Sequence, residues 1–344
     1  MKVKLWGVRG SVPTPLTGLE TEQKMKALFR EFLESGESDF GRYMARAPFW
    51  KRATYGGNTA CVEVVVSSRS GAKNTRIVFD GGTGLRVLGS SLMKEMFQAR
   101  GLNLNLFFSH VHADHIQGFP FFPPLYINKE TGVKNVWNCW GGTDWFEGID
   151  GCLQMQMDPP IFPVNLKEII RITEGFNPQT VYDRMTSELP GGIKVIARKL
   201  FHPQETYGYR LVDNSGKVLV YATDNEPYDP LHPAPALLDL AKDADVLIID
   251  CQYTKDKYEG RVDGVPRHGW GHSYPEAVAQ VAVQANVKKM VLFHHDPGSS
   301  DLAIALIEQQ TQNLVDLLGG KTEVIAAYEG LELEIAEKPA AVRV

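Results

Sequence analysis

Residues 110–115, His-Val-His-Ala-Asp-His, place three of the chain's nine histidines and one aspartate within six positions. Imidazole and carboxylate are the side chains that ligate zinc-type divalent cations. The stretch follows an apolar run from Leu104 to Phe108, so it reads as a loop leaving the end of a strand. Histidines two apart on such a loop, His110 and His112, can aim both rings at one cation. Asp114 and His115 are turned the other way and suit a second. A polar loop with incidental histidines is the alternative, and it leaves the convergence of ligand types unexplained.

Three more candidates end apolar runs: His202 in LFHP, Asp224 in VLVYATDNE and His294 in VLFHHDP. Taken singly these are a capping residue, a turn aspartate and a surface histidine. Side chains at strand ends, however, collect at one edge of a sheet. With residues 110–115 they make enough ligands for two cations bridged by one carboxylate. His295 competes with His294, which is preferred because it directly follows the strand. Two divalent ions are expected, zinc first, with manganese or iron as alternatives; without thiolates, the ligand types do not choose among them.

Positioning these groups requires a strand-rich frame. Strand patterns fall at 2–8, 60–67, 75–80, 103–108, 193–200, 207–213, 217–223, 245–250 and 288–293, and helical spacing at 85–99, 275–286 and 299–317. DNSG at 213–216 is a hairpin turn. VLIID and MVLF are apolar on both faces, as expected for strands covered by helices. The expected fold is a layered α/β sandwich, forming one domain over 1–344 with no low-complexity linker. Two segments depart from this plan and are expected at its rim. One is a charged, helix-prone insertion at about 16–47, expected beside the active-site mouth, whose Leu19, Met25, Leu28, Phe29, Phe32 and Leu33 fit one helical face that should be buried on the sandwich or on a second subunit, with a surface decoration as the alternative. The other is the aromatic and proline-rich stretch 119–165, in which GFPFFPPLY could stack a base or simply pack.

Composition narrows the function. Hydrophobic residues make up 43% and charged ones 22%, and the formal net charge is −5, with no basic tract longer than pairs such as Lys51-Arg52 and Lys288-Lys289. A dedicated nucleic-acid binder is disfavoured, without ruling out a nucleotide substrate. Cys61, Cys139, Cys152 and Cys251 form no Cys-x-x-Cys pair and read as core thiols of a reducing compartment. With no signal-like or membrane-spanning apolar stretch, the expected location is the cytoplasm. The glycines of YGGNT and DGGTG match no nucleotide-loop spacing and read as turns.

At this point the sequence resembles the metallo-β-lactamase-fold hydrolases, whose His-x-His-x-Asp-His motif matches His110, His112, Asp114 and His115. LWGVRGSVPTP, YGGNTACVEV, FDGGTGLR, YATDNE, IIDCQYT and GWGHSYPEA…VLFHHDP resemble the branch containing tRNase Z and the phosphonate-pathway and cyclic-nucleotide phosphodiesterases. The resemblance implies a four-layer αββα sandwich. It assigns one metal to His110, His112 and His202 and the other to Asp114, His115 and His294, with Asp224 bridging. It makes Asp80 a buried residue that orients a ligand, where a turn aspartate is the alternative. It also gives His272 a role at the phosphate or leaving oxygen, against the plainer reading of a polar helix-start residue; His268 is a weaker assistant, and His232 a surface residue. Asp114, Asp224 and His272 are thus the expected catalytic groups. The implied activity is a dinuclear phosphodiesterase attacking a small, nucleotide-like diester through a hydroxide shared by the cations. tRNA 3′-processing is the runner-up, disfavoured by the acidic charge and the lack of a basic arm. A β-lactamase is disfavoured because Asp224 stands where the main dizinc lactamases carry cysteine. A lactonase, a thioesterase and a non-catalytic metal-binding protein share the same core. A homodimer is left open.

Overall fold

The computed structural model describes residues 1–67, 74–127, 129–145, 147–173 and 175–336. In chain order the strands among them are β1 (Lys2–Gly7), β2 (Cys61–Val66), β3 (Thr75–Phe79), β4 (Asn103–Phe107), β5 (Val136–Gly142), β6 (Phe176–Val181), β7 (Thr186–Leu189), β8 (Ile193–Leu200), β9 (Thr206–Val212), β10 (Val218–Ala222), β11 (Val246–Asp250), β12 (Lys289–Phe293), β13 (Glu323–Ala326) and β14 (Glu332–Glu334). They form two seven-stranded sheets, ordered β14-β1-β2-β3-β4-β5-β6 and β13-β12-β11-β10-β9-β8-β7. Each sheet is antiparallel in one half and parallel in the other: β3 to β6 run parallel in the first, β10 to β13 in the second. Helices flank both, Gly84–Ala99 and Gly148–Met157 against the first, Pro235–Ala241, Pro275–Gln284 and Asp301–Leu317 against the second. This is the αββα layering expected from the sequence.

The helical covers follow local chemistry. In Asp301–Leu317 the buried Ile304, Ile307, Thr311 and Val315 recur at three- and four-residue spacing, and the Ser300 hydroxyl accepts from the Ala303 amide at 3.2 Å to cap the first turn. β10 and β11 are buried along their whole length, because the helices cover the face that the other sheet does not.

Aromatic rings fasten the two sheets together just beneath one edge. Phe79 on β3 stacks on Tyr221 of β10 at 5.1 Å and on Tyr209 of β9 at 5.6 Å, and Tyr221 meets Phe293 of β12 at 5.8 Å. The tyrosine hydroxyls are not stranded in this apolar layer, since Tyr209 donates to the Phe108 carbonyl at 2.5 Å and Tyr221 to the Asp80 carboxylate at 2.7 Å. Register then levels the strand ends. Ala222 pairs with Ile249 and Ile249 with Leu292, so residues following β10, β11 and β12 emerge side by side.

Of the two rim segments, one packs as its plainer reading expects, and the other is not buried on the sandwich as a whole. Within 119–165, Phe119, Phe122 and Leu125 are buried in the core, and only Phe121 of the GFPFFPPLY rings stands exposed. Packing therefore accounts for that stretch. The insertion is helical, with Gly18–Glu34 started by a Thr17–Glu20 capping box and followed by Phe40–Arg46. Its apolar face is not buried as a whole: Leu28 and Phe32 are half-covered, while Leu19, Met25, Phe29 and Leu33 face outward. The reason is that Phe32 packs against the insertion's own Phe40 and Tyr43, at 5.1 and 5.6 Å, rather than against the sandwich. The insertion is tied to the rest of the chain by ion pairs of Lys24 with Asp301 and of Glu31 with Lys51. A cavity of about 450 Å³ lies between, lined by Arg9, Lys24, Leu28, Trp50 and Ser299 and by no member of the histidine cluster.

The segment leaves and rejoins the body at one point, where the Thr14 amide donates to the Gly57 carbonyl at 2.8 Å. Replacing 18–46 by a short Gly/Ser linker is therefore expected to keep a single cooperative thermal transition within a few degrees of the parent. Loss of cooperative unfolding in calorimetry would show that the helices belong to the core.

Candidate metal centre

The histidines and carboxylates gather where the parallel strands end, the edge at which open α/β sheets bind ligands. Residues 110–115 follow β4, Asp80 follows β3, His202 follows β8, Asp224 follows β10 and His294 follows β12. Three of them, Asp80, Asp224 and His294, have left-handed backbones with φ of 59°, 53° and 62°. Such conformations cost free energy in non-glycine residues, and here they turn a side chain sharply off its strand into the space between the sheets.

Two sets of ligand atoms result. His110 Nε2 lies 2.9 Å from His112 Nδ1, which lies 3.2 Å from His202 Nε2. Asp224 Oδ2 faces this trio, at 3.5 Å from His110 Nε2 and 3.9 Å from His202 Nε2. On the other side His115 Nε2 and His294 Nε2 are 3.2 Å apart and stand 3.3 and 3.0 Å from Asp114 Oδ2. Asp224 turns its second oxygen to these, Oδ1 lying 3.4 Å from His115 and 3.3 Å from His294. One carboxylate thus addresses both groups with one oxygen each.

These separations test whether cations fit. Donors at 2.0–2.1 Å from a tetrahedral ion are spaced about 3.3 Å apart, close to the distances found. Ring nitrogens that face one another need a shared positive charge, because protons alone cannot satisfy three converging lone pairs. The protonation states agree. Burial pushes His110 and His112 down and His202 down to about 4, which leaves neutral, ligating imidazoles. Burial also works against charge on His115, but Asp114, Asp224 and Asp80 overcome it and raise its pKa well above the ordinary value. Around His115 the carboxylates therefore call for positive charge that a cation would supply. The Asp224 carboxylate is likewise held ionised, burial being outweighed by His294, His115 and His110.

The rings are aimed from behind. Asp80 accepts from the Ser109 amide and hydroxyl, at 2.7 and 2.8 Å, and from Tyr221, and sits 2.7 Å from His115 Nδ1. A proton on that Nδ1 leaves Nε2 free for a cation. His202 Nδ1 is 3.1 Å from the Gly271 carbonyl, His294 Nδ1 is 3.0 Å from Gln252 Oε1, and the Ser11 amide donates to Asp114 Oδ2 at 2.7 Å. Gly271, with φ 87°, has no room for a Cβ, which would run into the His202 ring. His295 turns away, its Nε2 2.8 Å from the Ala327 carbonyl, so the inward ring of the pair is His294.

His272 lies beside the cluster, its ring 5.6 Å from that of His202 and 5.0 Å from that of His294. Its Nδ1 is 3.0 Å from Asp250 Oδ2 and 4.0 Å from Asp224 Oδ2. Asp250, the last residue of β11, is fully buried, and its Oδ1 has no partner among the described residues. Sequence reasoning gave Asp250 no role, nor Ser109, Tyr221, Gln252 and Ser11. The signal for Asp250 was its place at the end of an apolar run, like Asp224. His268 is exposed and rests on the Tyr258 ring at 4.5 Å, and His232 is exposed beside Asp229. Neither joins the cluster.

Fold and site together define a metal-dependent hydrolase of the αββα type. The pattern of the beta-lactamase superfamily domain matches residues 75–295, and the chain belongs to the metallo-β-lactamase superfamily. Among curated relatives, ribonuclease Z of Limosilactobacillus reuteri is 24% identical over 263 residues, 61% of this chain and 75% of that one. Ribonuclease Z of Myxococcus xanthus is 24% identical over 323 residues, covering 83% and 97%. The fold is shared with unliganded yeast PDE1, at TM-score 0.61 and 14% identity over 97% of this chain and 99% of that one. It is shared too with YhfI of Bacillus subtilis, at TM-score 0.58 and 15% identity over 96% and 98%. No helix of the described residues is long and apolar enough to cross a membrane.

Because Asp80 fixes His115 without touching the cation position, Asp80→Asn should weaken metal affinity by roughly 10–100-fold while leaving the protein folded. Competition with a chromophoric chelator measures this. Unchanged affinity would remove Asp80 from the site's support.

Proposed function

We propose that the chain hydrolyses small phosphodiesters at this centre. The observation that carries the reading is the division of Asp224's two oxygens between two histidine groups, with His272 and its aspartate placed alongside. His110, His112 and His202 would hold one divalent cation, and Asp114, His115 and His294 the other, with Asp224 joining them. Such a pair lowers the pKa of a shared water and neutralises charge growing on phosphoryl oxygens. Zinc, manganese and iron all fit these imidazole and carboxylate donors, and zinc is the expected occupant.

The protein's own groups supply the rest. With His272 Nδ1 engaged by Asp250, the opposite ring nitrogen is left to face a substrate oxygen. Burial would make that imidazole less basic, but Asp250 prevails and raises its pKa to about 9, so it carries a proton at neutral pH. Cations held nearby would lower it, closer to the working pH at which a general acid is most effective. His272 would then give its proton to the departing alkoxide, and Asp250 would hold the ring in line and stabilise its charged form. Low-identity relatives named ribonuclease Z support phosphodiester chemistry in general; the net charge of −5 favours a small diester over tRNA.

Metal-reconstituted protein should hydrolyse bis-p-nitrophenyl phosphate and a cyclic nucleotide faster than a lactone, a thioester or a cephalosporin. A preference for any of the last three would overturn the reading. Asp224→Ala should lose metal, by elemental analysis, and activity together.

His272→Ala should keep its metals yet lose about 10²–10⁴-fold in kcat, less for a p-nitrophenolate leaving group than for an alkoxide. A proton donor must be protonated, so the parent's kcat should fall as pH rises through the His272 pKa. That limb should vanish in the variant. Its persistence would assign the proton elsewhere.

A further inference from the structure

Two exposed aromatic side chains lie close in sequence to residues of the site, and neither the cluster nor the core uses them. Tyr228, four residues after Asp224, is 74% exposed, and Trp270, two residues before His272, is 48% exposed. Other aromatics are exposed as well, Phe121 and Tyr182 among them, but Tyr228 and Trp270 lie on the segments that carry Asp224 and His272.

Each ring is already backed on one side. Phe201, the neighbour of His202, stacks on Tyr228 with centroids 3.8 Å apart and planes inclined by 26°. The Arg267 guanidinium lies over Trp270 at 5.6 Å and is itself held by Asp263 and by the Lys257 carbonyl. The rings are therefore braced from behind and open in front, so little side-chain freedom is left to lose on binding.

One buried residue ties them to a common frame. The Glu226 amide donates to the Phe201 carbonyl at 2.9 Å. Its carboxylate accepts the amides of Gly269 and Gly271, on either side of Trp270, at 2.8 and 2.7 Å, and the Tyr258 hydroxyl at 2.5 Å. Both glycines have positive φ, 79° and 87°, so the Gly-Trp-Gly tip is a tight turn presenting the indole outward. Gly271 also touches the His202 ring through its carbonyl, and adjacent Cα atoms are about 3.8 Å apart, so Trp270 stands within one side-chain length of the metal ligands.

We infer that Tyr228 and Trp270 form a stacking platform for a planar aromatic group carried by the substrate, a nucleobase joined through its sugar to the phosphate at the metal centre. The inference rests on the phosphodiesterase reading for the placement of the phosphate and adds the class of substituent. Stacking reads the flat face common to all bases, so the platform selects nucleotides over base-free phosphates without choosing among bases.

Binding to the manganese-loaded protein tests this without turnover. By titration calorimetry, adenosine 5′-monophosphate should bind at least about tenfold more tightly than ribose 5-phosphate, which offers the same phosphate and sugar but no base. Tyr228→Ala and Trp270→Ala should each shrink that ratio several-fold, and Trp270→Phe should restore much of it. A general loosening of the loop would weaken both ligands alike and leave the ratio standing. Equal affinity of the parent for the two ligands overturns the platform. Because that comparison needs neither a variant nor hydrolysis, it is separable from a failure of the substrate panel, which bears on the reaction alone.

Discussion

Negative charge held out of water at the junction of the sheets is the constraint around which this protein is arranged. Asp80, Asp114 and Asp224 are all buried and crowd the imidazole of His115. In a low-dielectric setting such a group is tolerable only when every oxygen meets a donor or a cation. The surroundings answer in kind: Ser109, Tyr221 and the Ser11 amide are all spent on these carboxylates. The aromatic layer below then has two jobs, since Tyr221 both fastens β10 to β3 and satisfies Asp80. Packing and site chemistry are therefore not separable here.

Much of this was legible in the sequence, for physical reasons that can be named. Ligand histidines are few and betray themselves by spacing, and strands covered on both faces leave uninterrupted apolar runs such as VLIID. The fold, the cluster and the strand ends could be read from those signals. The strands absent from the sequence reading, β5, β6, β7, β13 and β14, carry weaker ones. β6 reads Phe-Asn-Pro-Gln-Thr-Val, mostly exposed and interrupted by proline, and is a strand because it lies at an edge where only β5 pairs with it. Asp250 is legible only as an aspartate closing an apolar run, because the partner that gives it a role lies 22 residues away. The apolar stripe of the insertion left its cover undecided for the opposite reason. Periodicity reports that a helix has a preferred face, not what covers it, and Phe32 found Phe40 and Tyr43 instead of the sandwich.

The backbone carries part of the cost of the site. Left-handed Asp80, Asp224 and His294 each surrender conformational free energy to point inward, and the close passage of Gly271 against His202 forbids any side chain there. These positions are fixed by geometry as much as by chemistry. An alanine at residue 271 would displace a ligand ring although it is no ligand itself.

The two outer segments consequently differ in how freely they can change over generations. The Gly-Trp-Gly tip shares its backbone with the support of His202 through Gly271, so drift in its length or conformation is transmitted to a metal ligand. The helices of 18–46 enter and leave at one junction, between Thr14 and Gly57, and no residue of them is buried. They make a natural cassette: a lineage could lengthen, trim or replace them to meet new surroundings while the metal-binding edge stays as it is. Variation in the first segment would be confined to the face of a single ring, whereas the second is free to diverge wholesale.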